Sequence, residues 1–144
     1  MDAIRKIIRE VLEEDLTFKY IPYGIGHGYD SGRIELYKGG KKIAKSDFSF
    51  YDDIFSLFDL NADEVLSEKI EDEKSLYITG IDVEEKYRGE GYGEYLYKEI
   101  EKYAKEKGAK YITLGAITSA LNFWKKMGFQ VHSFGNFYNM YKKI

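Results

Sequence analysis

Leu76-Tyr77-Ile78-Thr79-Gly80-Ile81-Asp82-Val83 leads through Glu84-Glu85-Lys86-Tyr87 into Arg88-Gly89-Glu90-Gly91-Tyr92-Gly93, and this stretch decides how the chain is read. Its first eight residues are rich in β-branched and aromatic side chains and predict a strand. Beyond it, Gly93, Leu96, Tyr97, Ile100, Tyr103 and Ala104 recur at helical spacing, and Gly108 ends the pattern. The turn between them carries three glycines on alternate positions. Stripped of side chains, such a turn lets backbone N–H groups converge on an anion, and the following helix N-terminus adds partial positive charge. The same glycines also suit a plain helix-capping loop, which needs only backbone freedom. Two common phosphate motifs do not fit. In the dinucleotide fingerprint the third glycine would come one position later, with an acid some 20 residues on. Here Tyr111–Leu114 holds no carboxylate, and the P-loop G-x-x-x-x-G-K-[ST] is absent.

Downstream, Lys110–Ala116 predicts a strand, and Ser119–Met127 a short helix capped by Thr118 or Ser119 and stopped by Gly128. Gln130–Phe134 and Phe137–Lys142 predict two closing strands. Upstream, Ile4, Ile7, Ile8, Val11 and Leu12 form the apolar stripe of a helix over about 3–14, and residues 16–23 read as extended. Arg33–Tyr37 and Ile43–Phe50 form a hairpin across Gly39-Gly40, which supplies the positive φ angles of a tight turn. Asn61–Glu71 predicts a further helix with Asn61 as N-cap. A parallel crossover followed by an antiparallel ending defines an α/β (α+β) class: one domain over 1–144, with a mixed sheet and helices on both faces.

Composition bounds the chemistry. The chain has 144 residues, 14 Tyr, 9 Phe and 1 Trp, enough apolar surface to fold as one unit. With no Cys, thiolate nucleophiles and Cys-ligated zinc are excluded, and two isolated histidines, His27 and His132, give no expectation of a metal site. No apolar run exceeds three residues, so a cytoplasmic protein that does not span a membrane is expected. The net charge of -3 disfavours nucleic acid as a partner. Charge is segregated, however: residues 51–75 hold nine acids against Lys69 and Lys74, whereas 86–144 hold eleven Lys/Arg against five Glu. Opposed fields of this kind attract an anionic ligand at one end and a cationic one at the other, unless they are merely solvated faces.

Ile81-Asp82-Val83-Glu84-Glu85-Lys86-Tyr87-Arg88-Gly89-Glu90-Gly91-Tyr92-Gly93 resembles the acyl-CoA signature of the GNAT N-acetyltransferase superfamily, in which a strand end runs into [Arg/Gln]-x-x-Gly-x-[Gly/Ala]. Ala120-Leu121-Asn122-Phe123-Trp124-Lys125-Lys126-Met127-Gly128-Phe129 resembles that family's closing helix, an Ala followed by aromatics and ending in Gly-Phe. The two matches stand in the right order within residues 76–144.

The resemblance implies acetyl-CoA as cosubstrate, without a metal, and acetyl transfer to a primary amine of a small molecule or peptide. Its diphosphate would lie on Arg88, Gly89, Gly91, Tyr92 and Gly93, and its pantetheine along the backbone of Ile81 and Val83. Phe123 and Trp124 would also contact the cofactor, with Trp124 beside its thioester end. Gly80 suits a bulge that splays the strand, or marks an ordinary close contact, and the Ile81 N–H would face the thioester carbonyl. Lys86, Lys125 and Lys126 could add charge for the phosphates, or be solvated surface lysines. A base is needed to take the acceptor's proton, and Asp82 is the candidate, with Glu84, Glu85 and His132 as alternatives. The family's usual acid is a Tyr in the slot that Trp124 fills. Indole N–H donates a hydrogen bond but does not give up its proton near neutrality, so Tyr138 or Tyr141 on the last strand becomes the candidate acid. A catalytically weak acyl-CoA-binding sensor or scaffold is the alternative reading. The sequence permits a homodimer.

Overall fold

The computed structural model describes residues 15–23, 30–51 and 74–144. The helices expected over 3–14 and 61–71, the glycine-rich stretch at 24–28 and most of the acidic segment lie outside these. Strands β1 (Leu16–Pro22), β2 (Ser31–Lys38), β3 (Lys41–Tyr51), β4 (Ser75–Ile78), β5 (Asp82–Val83), β6 (Tyr111–Ala116), β7 (Gln130–Phe134) and β8 (Tyr138–Lys143) form one sheet. Its order is β1-β2-β3-β4-β6-β8-β7, with β5 also paired to β3. β4 and β6 are parallel, and every other pair is antiparallel. Helix α1 (Tyr92–Glu106) makes the crossover between β4/β5 and β6, and α2 (Leu121–Lys126) follows β6.

The expected hairpin forms as read: Gly39 and Gly40 take φ of 57° and 81°, the twist that two tightly joined strands require. Register then places Phe18, Leu36, Ala44, Phe48, Ile78, Leu76, Ile112, Leu114 and Met140 on one face. Against that face α1 turns its buried Leu96, Tyr97, Ile100 and Ala104, the stripe that the helical spacing predicted. Fully burying a side chain such as Leu96 or Ile100 is worth about 1.5–3 kcal/mol. Phe48, Phe50 and Tyr103 meet edge-on or tilted with centroids 5.3–5.9 Å apart, and Phe18 stacks on Tyr95 at 5.3 Å. Helix α2 docks on α1: the Trp124 and Phe129 rings lie 5.9 and 5.6 Å from that of Tyr97.

Two expectations are corrected. Leu76–Val83 is not one strand but two, β4 and β5, because the chain bulges at Thr79–Ile81. Neither Thr118 nor Ser119 caps α2 through its side chain. A single 3-10 turn at Thr118–Ala120 leads into the helix instead, with the Ala120 amide donating to the Ile117 carbonyl at 3.0 Å, so a backbone group does what a hydroxyl was expected to do.

Candidate active site

The site begins as a fault in the sheet. Phe48 faces Ile78 and Lys45 faces Asp82, so Thr79, Gly80 and Ile81 stand against only Ser46 and Asp47. The extra residue makes a β-bulge. Gly80 absorbs it with φ of 120°, which side-chain-bearing residues rarely adopt. The bulge is held by the Thr79 amide donating to the Asp47 carbonyl at 3.0 Å and the Ser46 hydroxyl donating to the Gly80 carbonyl at 2.6 Å. β4 pairs with β6 as far as Ile78 and Leu114. Past that point β5 stays with β3 while β6 runs on to Ala116 beside β8. The two central strands therefore part, and a cleft of about 920 Å³ opens between them.

Strand alternation decides which backbone groups face this cleft. The Glu84 amide donates to the Ile43 carbonyl at 2.8 Å, so Glu84 and Asp82 point their backbone groups at β3. Val83 and Ile81 point theirs the other way, into the gap. Arg88 confirms the direction: its Nε donates to the Val83 carbonyl at 2.9 Å.

At one end of the cleft stands the glycine turn. Gly89 and Gly91 adopt φ of 80° and 87°, with open space where a Cβ would stand, so glycine is required there by backbone conformation. Gly91 is the N-cap of α1, whose first amides are free of intrahelical partners and carry the positive end of the dipole. Gly93 differs: a Cβ there would touch the Phe123 ring at 3.7 Å and Val83 at 3.8 Å. Outside the turn, the Lys38 Nζ donates to the Tyr92 hydroxyl at 2.8 Å, and the Nζ atoms of Lys38, Lys41 and Lys86 lie 5.6–5.9 Å from the Tyr87 ring centroid.

The cleft walls are apolar on the helix side, where Val83, Ala120, Phe123 and Trp124 line it. Trp124 is only 3% exposed and meets Phe123 and Phe129 edge-on at 4.9 and 5.3 Å. On the opposite face register gathers Lys45, Asp47 and Asp82, all of which line the cleft. Asp82 is exposed. Asp47 is anchored through Oδ1 by the Tyr23 hydroxyl and by the Arg33 Nε at 2.9 Å. Burial pushes its carboxyl up, but the Tyr23 hydrogen bond and the Arg33 guanidinium outweigh this and hold it below the usual range.

Of the residues singled out in the sequence, Ile81, Asp82, Val83, Arg88, Gly89, Gly93, Phe123 and Trp124 line this one cleft. Gly91 and Tyr92 belong to the turn without lining the cleft, and Tyr138 is not among its lining residues. Tyr138 opens β8 opposite Ala116, its ring 4.4 Å from that of Phe134, while its neighbour Phe137 reaches the cleft. His132 is on β7, its Nδ1 3.0 Å from the Ser133 hydroxyl. Sequence reading missed Ser46 and Asp47. A signal existed for Ser46: it is the one hydroxyl in the otherwise apolar row Ala44, Ser46, Phe48, Phe50 of β3. Among the described residues no group of three or more His, Cys, Asp or Glu side chains could hold a metal ion, and no helix is long and apolar enough to cross a membrane.

A sheet split at a bulge, with a glycine turn and a helix N-terminus at the mouth of the split, leaves a strand edge exposed. The Acetyltransferase (GNAT) family matches residues 5–129, and the chain belongs to that family. No curated protein matches the sequence. Among solved structures, the chain is similar to the N-acetyltransferase YlbP of Bacillus subtilis in complex with coenzyme A, with 17% identity, a TM-score of 0.56 and coverage of 80% of this chain and 69% of that one. It is similar to PaiA N-acetyltransferase of Thermoplasma acidophilum in complex with coenzyme A, with 17% identity, a TM-score of 0.57 and coverage of 99% and 69%. It is also similar to KacTA in a complex with DNA, with 14% identity, a TM-score of 0.63 and coverage of 89% and 92%. At such identities the likeness shows a shared fold.

Proposed function

We propose that the protein moves an acetyl group from acetyl-CoA to a primary amine of a small molecule or peptide. One observation carries this reading: the bulge-opened cleft between β5 and β6, with strand backbone along one side and the Gly89–Gly93 turn at its end. Bound there, acetyl-CoA supplies an acyl group activated as a thioester. The residues present fit it. The amides around Gly89–Gly93 and the start of α1 suit the diphosphate. The outward-facing backbone of Ile81 and Val83 suits the amide groups of the pantetheine arm. Arg88 keeps guanidinium nitrogens beyond the Nε bound at Val83.

The chain's own groups then have separable roles. The Ile81 amide faces the acyl carbonyl and stabilises charge that develops on its oxygen. Asp47 and Asp82, on the opposite face of the sheet, hold a cationic acceptor, and Asp82, the exposed one, takes its proton directly or through water. Asp47, pinned by Arg33 and Tyr23, stays ionised and serves as an anchor. Trp124 packs beside the acyl end, and Tyr138 is placed as the acid only if it swings from Phe134 past Phe137. With Trp124 in the family's tyrosine slot, solvent protonation of the departing thiolate becomes the simpler route, because a thiolate is a weak base.

Trp124 is also the one observation that favours the second reading, an acyl-CoA-binding module without turnover. A single preparation decides between them. The chain has no Cys, so thiol-reactive dye reports only CoA released by transfer, and calorimetry reports acetyl-CoA binding. Binding with amine-dependent thiol release supports the transferase, and binding without it supports the module. Absence of binding refutes both.

A further inference from the structure

We propose that Ser46 is a positioning residue for acyl transfer: its buried hydroxyl fixes the Gly80–Ile81 peptide so that the Ile81 amide points into the cleft. The inference rests on the acetyl-transfer reading for its kinetic consequence but not for its geometry. Ser46 is 2% exposed, in a row of β3 whose other buried members are Ala44, Phe48 and Phe50. Buried hydroxyls are mostly hydrogen-bonded, and the partner of this one is the Gly80 carbonyl at 2.6 Å. That carbonyl belongs to the bulge, where the ladder offers it no regular β3 partner. Gly80, between β4 and β5, takes a φ of 120°, and glycine at such a position samples several backbone states unless something selects one. The Ser46 hydrogen bond makes that selection. The peptide whose oxygen it holds is the same unit that carries the Ile81 N–H, so holding the oxygen orients the amide at its other side. Thr79 completes the clamp by donating from its amide to the Asp47 carbonyl, one residue further along β3.

An amide aimed at developing charge acts mainly in the transition state, so its misalignment appears in kcat more than in KM. The test compares Ser46→Ala, Ser46→Val and Ser46→Thr, the last two matched in shape and differing in the hydroxyl. Expected for Ala and Val are a kcat at least tenfold lower, an acetyl-CoA KM within threefold of wild type, and displaced Gly80 and Ile81 amide resonances in unliganded, nitrogen-labelled protein. Ser46→Thr restores kcat to within threefold and returns both resonances. Unchanged resonances in Ser46→Ala, a wild-type kcat in that variant, or equal defects in Thr and Val would overturn the proposal. If wild type binds acetyl-CoA yet acetylates no amine, the transferase reading falls by itself, and the amide spectra still decide whether Ser46 sets the Ile81 peptide.

Discussion

Gly91 and Gly93, two residues apart, should respond to substitution in opposite ways. Gly91 has φ of 87° with open space around a built Cβ, so Gly91→Val meets no neighbour and its whole cost is conformational. Holding a residue with a side chain in the left-handed region costs about 1–2 kcal/mol, and β-branching does not ease it. For a chain of 144 residues that lowers Tm by about 3–7 °C. If the backbone relaxes instead, the amides around the turn lose their convergence, and affinity for CoA falls at least tenfold, about 1.4 kcal/mol. Gly93 lies within α1 at ordinary helical φ, and a Cβ there reaches Phe123 at 3.7 Å and Val83 at 3.8 Å, normal van der Waals contact. Gly93→Ala should therefore keep stability or raise it by up to about 1 kcal/mol, with CoA affinity within threefold. Thermal melts with and without CoA, alongside calorimetry, separate the two effects. A folded Gly91→Val protein with wild-type Tm and full CoA affinity would refute both the conformational argument and the assignment of the turn to the cofactor.

Trp124→Tyr returns a phenol to the family's acid slot and should leave turnover equal or higher, whereas Trp124→Phe changes it little and costs about 1–3 kcal/mol of stability through lost packing; loss of acetylation in Trp124→Phe with binding and fold intact would give the indole N–H a role not argued above. Asp47→Asn should raise KM for a cationic primary-amine acceptor several-fold and flatten its salt dependence with acetyl-CoA affinity unchanged, whereas Asp82→Asn should also lower kcat, because it removes the base; turnover confined to neutral or anionic amines would remove the cationic acceptor. Asp47 and Glu35 are both lowered in the fold: burial pushes each up, outweighed for Asp47 by Tyr23 and Arg33 and for Glu35 by Tyr37 and Lys42. Their stabilisation is therefore fully present above the ordinary carboxylate range near 4 and is lost as pH falls through their lower folded values. Acid unfolding followed by circular dichroism should show this limb, and Arg33→Gln should flatten it. An unchanged limb would mean that Arg33 contributes nothing to holding Asp47.

Some of this was legible in the residues themselves. The periodicity of Leu96, Tyr97, Ile100 and Ala104 reports a helix face because one stripe must be buried, and Gly39-Gly40 reports a hairpin because few residues tolerate its φ angles. Gly80 was readable as a bulge for the same reason. What periodicity could not show was the consequence: that past Ile78 the chain leaves β6 and stays with β3, so that one predicted strand becomes two. That follows from a one-residue mismatch against Ser46–Asp47, a property of pairing between distant segments. The missing side-chain cap on α2 has a similar origin, since a 3-10 turn satisfies the helix start by backbone alone and leaves no hydroxyl signature.

The division within the site has a physical cause. Where recognition falls to backbone amides, the sequence must clear side chains and permit unusual φ, and it does so with glycines at fixed spacing; Gly80, Gly89 and Gly91 are visible for that reason. Where recognition falls to side chains projected from a sheet, any strand able to place a carboxylate at the right register will serve, and register is not written locally. Asp47 becomes part of the site only because β3 sets it two residues beyond the Lys45–Asp82 pair and because Arg33 and Tyr23, on or beside neighbouring strands, meet its Oδ1. Ser46 stands between these cases. It is a side chain whose task is to hold a backbone unit, and its trace in the sequence is a hydroxyl interrupting an apolar row. A buried hydroxyl beside a bulge is therefore the feature to seek when the residues that orient a backbone donor are to be read from sequence.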